Sequence, residues 1–197
     1  MLSIERIADV PQDLIWRMGV EKYHAMIEAG ILTDDDPVEL LEGWLVFKMP
    51  KNPPHRAATR LIRSALEQIL PDGWYVDSQE PITLIDSEPE PNVVVVRGET
   101  RQYLDRHPGP ADVVLVIEVS DTTLQRDRSA KKRAYARSGI PVYWIVNLSE
   151  SQIEVYTNPV QAQADYLQRR DYQISEYLQV EIKGKEVGKV EISTLFP

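Results

Sequence analysis

The most informative segment of the sequence is Val113-Val114-Leu115-Val116-Ile117-Glu118-Val119-Ser120-Asp121. Its first five residues are apolar and mostly β-branched, which is typical of a strand buried on both faces of a sheet. Glu118 directly follows this apolar run. Burial of an ionised carboxylate costs on the order of several kcal/mol unless a cation, a metal ion or hydrogen bonds compensate the charge. The sequence therefore predicts that such a partner meets Glu118 inside the fold.

The segment that follows this strand is strongly basic. Residues 126–137 contain six basic side chains and one acidic side chain. Asp127, Lys131 and Tyr135 are spaced four residues apart, so they share one face of a helix. We predict that this face turns toward the end of the strand and brings Lys131 to Glu118.

The charge of the chain is unevenly distributed. Because the 197-residue chain has a net formal charge of -9 and residues 126–137 contribute +5, the rest contributes -14. The negative total argues against broad non-specific binding to polyanions, whereas local positive charge beside a buried acid is suited to phosphodiester chemistry. A basic helix on an acidic protein is also common as solubility patterning, and we interpret Arg128, Lys132 and Arg137 as a solvated face.

Composition restricts the class of protein. The chain has no cysteine, which excludes disulfides and thiolate metal sites and is consistent with a cytoplasmic location. Its three histidines argue against a histidine-rich zinc site. No apolar run approaches the ~20 residues of a membrane span, so we expect a soluble protein without membrane contact. The length and the absence of repeats or long linkers predict one domain, residues 1–197.

Two helices and a hairpin are predicted before the central strands. The first helix covers residues 11–32, with Gly30 at its end, and an amphipathic helix begins at Pro53. Between them, residues 38–50 have the alternation of a hairpin with its turn at Glu42. We interpret Glu42 as a turn residue; the alternative is an additional acidic group at the mouth of a site.

The order of elements indicates the fold class. Further strands are expected at residues 74–85, with a break near Pro81, and at 92–96 and 142–146; peripheral strands are expected at 152–157 and within 166–196. From Pro54 to Val146 the order is thus helix, three strands, helix and strand. This order predicts an α/β fold with a mixed sheet.

Several separated motifs carry a resemblance to a known family. The element order, the polar Asn92 that opens one strand and Glu118 in the next strand resemble the PD-(D/E)XK, or restriction-endonuclease-like, superfamily. More narrowly, residues from about Val20 to Thr157 look like a large bacterial family of restriction-endonuclease-like proteins. The motifs are Glu88-Pro89-Glu90-Pro91-Asn92, Val116-Ile117-Glu118-Val119-Ser120-Asp121, Asp127-Arg128-Ser129-Ala130-Lys131 and Tyr135-Ala136-Arg137-Ser138-Gly139-Ile140-Pro141-Val142-Tyr143-Trp144-Ile145-Val146. The resemblance implies an αβββαβ core with a mixed central sheet, helices on its faces, an extra N-terminal helix and hairpin, and extra C-terminal strands.

The resemblance also implies a metal-dependent active site. In the superfamily, an aspartate and a glutamate on neighbouring strands hold Mg²⁺, and a lysine positions or activates the attacking water. Glu118 matches the metal-binding glutamate, and Val119 would add its backbone carbonyl. The implied cofactor is Mg²⁺ or Mn²⁺, which both take oxygen ligands.

Two positions depart from the superfamily pattern. Ser120 stands where a lysine is expected two residues after the acid; in the narrower family a lysine of the following helix takes that role, which matches Lys131. Asn92 stands at the aspartate position, where its amide oxygen is a neutral ligand in place of a carboxylate. We therefore expect weakened metal binding and cleavage, with Glu90 as an alternative acidic ligand two residues earlier.

The leading hypothesis is a Mg²⁺-dependent DNA endonuclease. Its candidate catalytic residues are Glu118, Lys131, Asn92 and Glu42, and its candidate metal ligands are Glu118, Asn92 and Val119. Two alternatives stay open: a non-catalytic nucleic-acid-binding or assembly module that keeps the nuclease fold, and a two-carboxylate hydrolase that uses Glu42 and Glu118, as in glycosidases. DNA is the expected partner, and pairing of sheet edges into a homodimer is a further expectation.

Overall fold

The computed structural model describes residues 14–33 and 35–197. This part of the chain forms a six-stranded mixed β-sheet together with helices and two separate two-stranded sheets. No helix in these two ranges is long and apolar enough to cross a membrane.

The first helix, α1 (Val20–Glu28), is shorter than the predicted helix over residues 11–32. Residues 11–13 lie outside the described part of the chain. Gly19 is extended, with ψ of 159°, so the helix starts only after it. Gly30 follows the last turn with φ of +67°, which glycine adopts without steric cost. The prediction was therefore right about the end of the helix and wrong about its start.

The predicted hairpin is confirmed. Strands β1 (Val38–Leu41) and β2 (Trp44–Phe47) pair in an antiparallel register. Glu42 and Gly43 connect them with φ of 50° and 79°, so both turn residues are in the left-handed region. Two positive φ angles in succession match the twist of a two-residue hairpin turn. The interpretation of Glu42 as a turn residue is thus correct.

The central elements follow the predicted order. They are α2 (Pro53–Glu67), β3 (Trp74–Asp77), β4 (Val93–Arg97), β5 (Val113–Ser120), a helical segment and β6 (Val142–Asn147). Strands β5 and β6 are parallel, and β4 lies between β3 and β5 and is antiparallel to both. The α/β class with a mixed sheet and an αβββαβ core is confirmed. Only the strand predicted over residues 74–85 is shorter, since it ends at Asp77.

The helical segment between β5 and β6 is not a uniform α-helix. A short α3 (Leu124–Arg126) leads into a π-helical turn (Asp127–Lys131) and then into α4 (Lys132–Arg137). π-Helical turns are rare in proteins and are frequent at functional sites. The turn ends with the lysine that the sequence singled out.

The C-terminal third supplies the predicted peripheral strands. Strands β7 (Gln152–Val160) and β8 (Asp165–Gln173) extend the central sheet beyond β6. Among the strands of the described ranges, β9 (Tyr177–Ile182) and β10 (Lys185–Glu191) form a separate two-stranded antiparallel sheet. Their apolar residues pack in the same cluster as those of α2.

Two apolar layers lie on the two faces of the central sheet. One contains α2 and the β9–β10 pair, and the other contains α4. Side chains of β5 alternate between them: Ile117 and Val119 belong to the α2 layer, and Val116 belongs to the α4 layer. Glu118 and Ser120 therefore point toward the α4 side, into the otherwise apolar interior.

Candidate active site

Glu118 lies at the centre of a buried polar cluster. Its side chain is 3% exposed. The Lys131 ammonium donates a hydrogen bond to Oε1 of Glu118 at 2.8 Å, and the Tyr135 hydroxyl donates to the same oxygen at 2.6 Å. The structure thus brings together the buried acid and the helix face that the sequence predicted to meet it.

Asp127 fixes the start of this helical segment against the end of β5. Its Oδ2 accepts hydrogen bonds from the Ser120 and Thr123 hydroxyls, each at 2.6 Å. The Tyr143 hydroxyl donates to the Asp127 carbonyl at 3.1 Å. Ser120, which replaces the lysine expected two residues after the acid, therefore positions the segment that carries Lys131.

Burial and charge shift the two central pKa values. Burial raises the pKa of Glu118 to about 7; the Lys131 charge opposes this shift, and the nearby Asp127 charge adds to it. Burial acts to lower the pKa of Lys131, but the charges of Glu118, Glu39 and Asp127 outweigh it and raise that pKa. The lysine therefore carries its proton at neutral pH, whereas Glu118 is poised between its two forms.

The two carboxylate oxygens of Glu118, Oε1 and Oε2, differ in their hydrogen bonding. Both hydrogen bonds from the described side chains reach Oε1, and within the described ranges Oε2 receives none. Glu118 lines a polar cleft of about 70 Å³, enough for a cation with water. The residues that line this cleft are Glu39, Lys48, Met49, Pro50, Lys51, Asn52, His55, Glu90, Asn92, Glu118, Val119, Asp121, Thr122, Thr123, Arg126, Asp127 and Lys131.

Asn92 faces the same cleft from the neighbouring strand. The antiparallel register pairs Val93 with Ile117, so the next position brings Asn92 opposite Glu118. The Asn92 side chain is 7% exposed, and its Oδ1 accepts the Val119 backbone N–H at 2.7 Å. One lone pair of this amide oxygen is thus committed to the backbone. Asn92, Glu118 and Lys131 do converge in one cleft, as the sequence predicted.

Glu39 is a cleft residue that the sequence reasoning missed. It lies in β1, is 3% exposed, and its Oε1 is 3.6 Å from the Lys131 ammonium. Its Oε2 accepts the backbone N–H of Glu90 at 3.2 Å. The sequence does contain a signal for Glu39. It is an acidic residue within the otherwise apolar strand 38–41, as Glu118 is an acidic residue in an apolar strand.

The rim of the cleft carries further charged groups. Glu90 forms an ion pair with Lys48 at 2.5 Å, and the Asp121 carboxylate accepts a hydrogen bond from the Asn52 amide at 2.6 Å. Burial lowers the pKa of His55, and the positive charge of Lys51 lowers it further. Glu90 therefore lines the cleft, as its proposed role as an alternative acidic ligand requires, but its carboxylate is already paired with Lys48.

Glu42 lies outside the cleft. Its carboxylate accepts hydrogen bonds from Arg133 at 3.0 and 2.5 Å and from Arg137 at 3.0 Å. Burial acts to raise its pKa, but these two guanidinium groups outweigh burial and hold the pKa below its usual value. The structure thus uses Glu42 to join the hairpin to α4, and it does not bring Glu42 into one site with Glu118.

The outward basic residues are not the solvated face that the sequence suggested. Arg128 binds the buried carboxylate of Glu154 through three hydrogen bonds of 2.5 to 3.1 Å. Lys132 forms an ion pair with Asp165 at 2.7 Å, and Arg137 binds Glu42 and Asp86. This prediction was wrong because the helix packs against acidic positions of neighbouring strands and loops. These cations stabilise the fold.

Comparison with known proteins identifies the family. Residues 20–185 match the Uma2 family, described as "Putative restriction endonuclease". The chain belongs to the Uma2 family. A solved structure titled as that of "a putative nuclease belonging to DUF820 from Anabaena variabilis ATCC 29413" is similar to this Uma2 fold, with a TM-score of 0.66. It shares 16% sequence identity, over 86% of this chain and 95% of that chain, so the likeness concerns the fold. No curated protein matches the sequence.

The Uma2 assignment confirms the predicted relation to restriction-endonuclease-like proteins, which generally use divalent metals. Within residues 14–33 and 35–197, no group of three or more His, Cys, Asp or Glu side chains is arranged to hold a metal ion. Mg²⁺ does not need such a group, since it retains several waters and binds through one or two carboxylates. Oε2 of Glu118, which lacks a hydrogen-bond partner among the described residues, is an oxygen donor of the required kind. The residues present therefore fit a hard divalent ion.

Proposed function

We propose that this Uma2 protein is a divalent-metal-dependent DNA endonuclease with its active site in the Glu118 cleft. One observation carries the proposal. Glu118 is 3% exposed and lines a polar cleft; one of its carboxylate oxygens is held by Lys131 and Tyr135, and the other receives no hydrogen bond from a described residue. In contrast, Glu154 of the same sheet has both of its carboxylate oxygens hydrogen-bonded within the protein.

The geometry supports distinct roles for the two central side chains. Glu118 would hold Mg²⁺ or Mn²⁺ through Oε2, with the Val119 carbonyl as a further oxygen ligand. When bound, such an ion supplies neutralisation of phosphate charge and acidification of the attacking water. Lys131 keeps its proton, because three carboxylates raise its pKa, so we assign it electrostatic stabilisation of the charge that develops on the phosphate. A protonated lysine is a hydrogen-bond donor and does not act as a general base.

Asn92 is proposed to position the site and to weaken it at the same time. Its amide oxygen holds the Val119 backbone through a 2.7 Å hydrogen bond, which keeps the strand end in register beside Glu118. It contributes no negative charge, whereas the aspartate of the superfamily does. We therefore propose that Asn92 lowers the affinity for metal and the rate of cleavage. DNA as substrate, homodimer formation and a single domain over residues 1–197 stay predictions.

Nicking of supercoiled plasmid DNA in Mg²⁺ or Mn²⁺, with a chelator control, tests the proposal. Wild type should nick slowly, Asn92→Asp should nick about tenfold faster because a negative charge joins the metal site, and Glu118→Gln should not nick. Asn158→Asp is a matched control, since it adds the same charge at an exposed residue. If Asn92→Asp raises the nicking rate no more than Asn158→Asp does, while Glu118→Gln is inactive, Asn92 does not limit the activity of the site.

The second candidate is a non-catalytic module that keeps the nuclease fold. The observation that favours it is the hydrogen bond that the Asn92 oxygen accepts from the Val119 N–H, which occupies one lone pair of a ligand that is already neutral. Calorimetric titration with Mn²⁺ separates the two functions. If neither wild type nor Asn92→Asp binds the ion or cuts DNA, the enzyme proposal fails and the module remains.

A further inference from the structure

We infer that Glu39 is the second acidic ligand of the divalent ion and supplies the charge that Asn92 lacks. The inference rests on the proposed function, because it concerns the same cleft. Glu39 comes from the β1–β2 hairpin, which lies outside the αβββαβ core. A hairpin side chain would thus complete a site whose other members belong to the central sheet and the following helix.

The buried charges around Lys131 do not balance. Four ionisable side chains of the cleft are at most 3% exposed: Glu39, Glu118, Asp127 and Lys131. They contribute three negative charges and one positive charge, which leaves a formal charge of -2. Within the described ranges, the side-chain hydrogen bonds to the Asp127 carboxylate come from hydroxyl groups, and Asp127 forms no direct ion pair. A divalent cation would compensate such a cluster without protonating it.

Glu39 is held in place for this role. Its Oε2 accepts the Glu90 backbone N–H at 3.2 Å, and the neighbouring Leu40 carbonyl accepts the Glu88 N–H at 2.8 Å. The segment before β4 therefore clamps both the carboxylate and the backbone of β1. Among the described side chains, Oε1 of Glu39 has one cationic neighbour, the Lys131 ammonium. The distance between them is 3.6 Å, which is too long for a hydrogen bond.

Glu39 and Glu118 approach the same point from two elements. The Lys131 ammonium lies 3.6 Å from one carboxylate and 2.8 Å from the other, and both carboxylates line the same cleft. Oε2 of Glu118 and Oε1 of Glu39 are the two carboxylate oxygens of this pair without a hydrogen bond from a described residue. Two such oxygens and several waters are a sufficient ligand set for Mg²⁺ or Mn²⁺.

The test is Mn²⁺ titration by calorimetry, without DNA, on wild type, Glu39→Gln, Glu118→Gln and Glu42→Gln. Glutamine keeps the shape of glutamate and can still accept the Glu90 N–H, so the substitution removes mainly the charge. Glu42→Gln is the matched control, because it removes the same charge from the same hairpin outside the cleft. We expect Glu39→Gln to weaken Mn²⁺ binding about tenfold or more, Glu118→Gln to abolish it, and Glu42→Gln to leave it within about twofold of wild type.

The outcomes distinguish this inference from the proposed function. If Glu39→Gln binds Mn²⁺ as wild type does while Glu118→Gln does not, Glu39 is not a ligand and the proposed function survives. If wild type itself binds no Mn²⁺, both fail. Circular dichroism checks that each variant is folded. Should Glu39→Gln not fold, Glu39→Asp, which keeps the charge on a shorter side chain, replaces it; unchanged Mn²⁺ affinity of that folded variant overturns the inference, and a several-fold loss supports it.

Discussion

Two buried glutamates of the central sheet, Glu118 in β5 and Glu154 in β7, face the same helical segment with different results. Glu154 is 0% exposed and is bound by Arg128, by the Tyr156 hydroxyl at 2.6 Å and by Arg169 at 3.4 Å. Its two oxygens both receive hydrogen bonds. Glu118 is also buried, but both hydrogen bonds that it receives from described residues reach one oxygen, and it lines a cleft.

This difference teaches how a structural carboxylate is distinguished from a functional one. Both glutamates are buried, so burial alone does not distinguish the functional carboxylate from the structural one. The useful observation is whether the protein itself satisfies each oxygen, since a satisfied carboxylate stabilises the fold and an unsatisfied one retains capacity for a ligand. The same contrast explains the two basic partners: Arg128 forms a bidentate ion pair, whereas Lys131 is a single point charge shared by two acids.

The largest expected effect is the loss of catalytic activity caused by the substitution Glu118→Gln. Plasmid nicking should fall by about 10³-fold, equivalent to roughly 4 kcal/mol, because the substitution removes the charge that holds the metal. The measurement is the initial nicking rate in Mn²⁺ at equal protein concentration. Glu154→Gln, assayed under conditions where it is folded, should nick at nearly the wild-type rate; an equal loss in both variants would remove the distinction between the two glutamates.

The next largest effect is the loss of folding stability caused by the substitution Glu154→Gln. The free energy of unfolding should fall by about 2 kcal/mol, because charge-assisted hydrogen bonds from Arg128 and Tyr156 to a fully buried carboxylate are lost. Urea denaturation followed by circular dichroism measures it. Glu67→Gln, which removes an exposed ion pair with Arg63, is the control and should change the stability by under about 0.5 kcal/mol. A loss in Glu154→Gln as small as in the control contradicts the structural role.

A pH effect should follow from the raised pKa of Glu118. Metal binding requires the ionised carboxylate, and the pKa is about 7 in the metal-free protein. Mn²⁺ affinity should therefore be nearly constant above this pH and fall by about tenfold per pH unit below it, since protons then compete with the ion. Calorimetric titrations at pH 6 to 8 in two buffers with different ionisation enthalpies measure both the affinity and the released proton. An affinity that is flat across this range contradicts the prediction.

The smallest expected effect concerns DNA affinity. Lys51 is exposed at the mouth of the cleft, whereas Lys132 is tied to Asp165 by an ion pair. Lys51→Ala should weaken DNA binding by about two- to threefold and lower the salt slope by about 1, because one phosphate contact is lost. Lys132→Ala should leave both unchanged. Fluorescence anisotropy of a labelled duplex at several salt concentrations measures both variants. A larger effect of Lys132→Ala than of Lys51→Ala would place the DNA contact on the outward face of the helical segment instead.

Much of the fold was predictable from local patterns. The buried strand at 113–117, the hairpin turn at Glu42 and the amphipathic helix from Pro53 all follow from periodicity and turn chemistry, which depend on neighbouring residues. The start of α1 was mispredicted because apolar spacing continues upstream of Gly19, where the backbone is extended. The π-helical turn was also invisible, since hydrogen-bond pattern and not residue spacing defines it.

By itself, the sequence determined that Glu118 is buried and that Lys131 is its partner, because a charge in an apolar strand demands compensation and helical spacing offers it. Only the tertiary structure decided which other acids share the cleft. Glu39 and Glu42 are three residues apart in one hairpin, yet one reaches Lys131 and the other reaches Arg133. Docking of the hairpin on the segment before β4 sets this choice, through contacts between residues about 50 apart in the chain that no local pattern encodes.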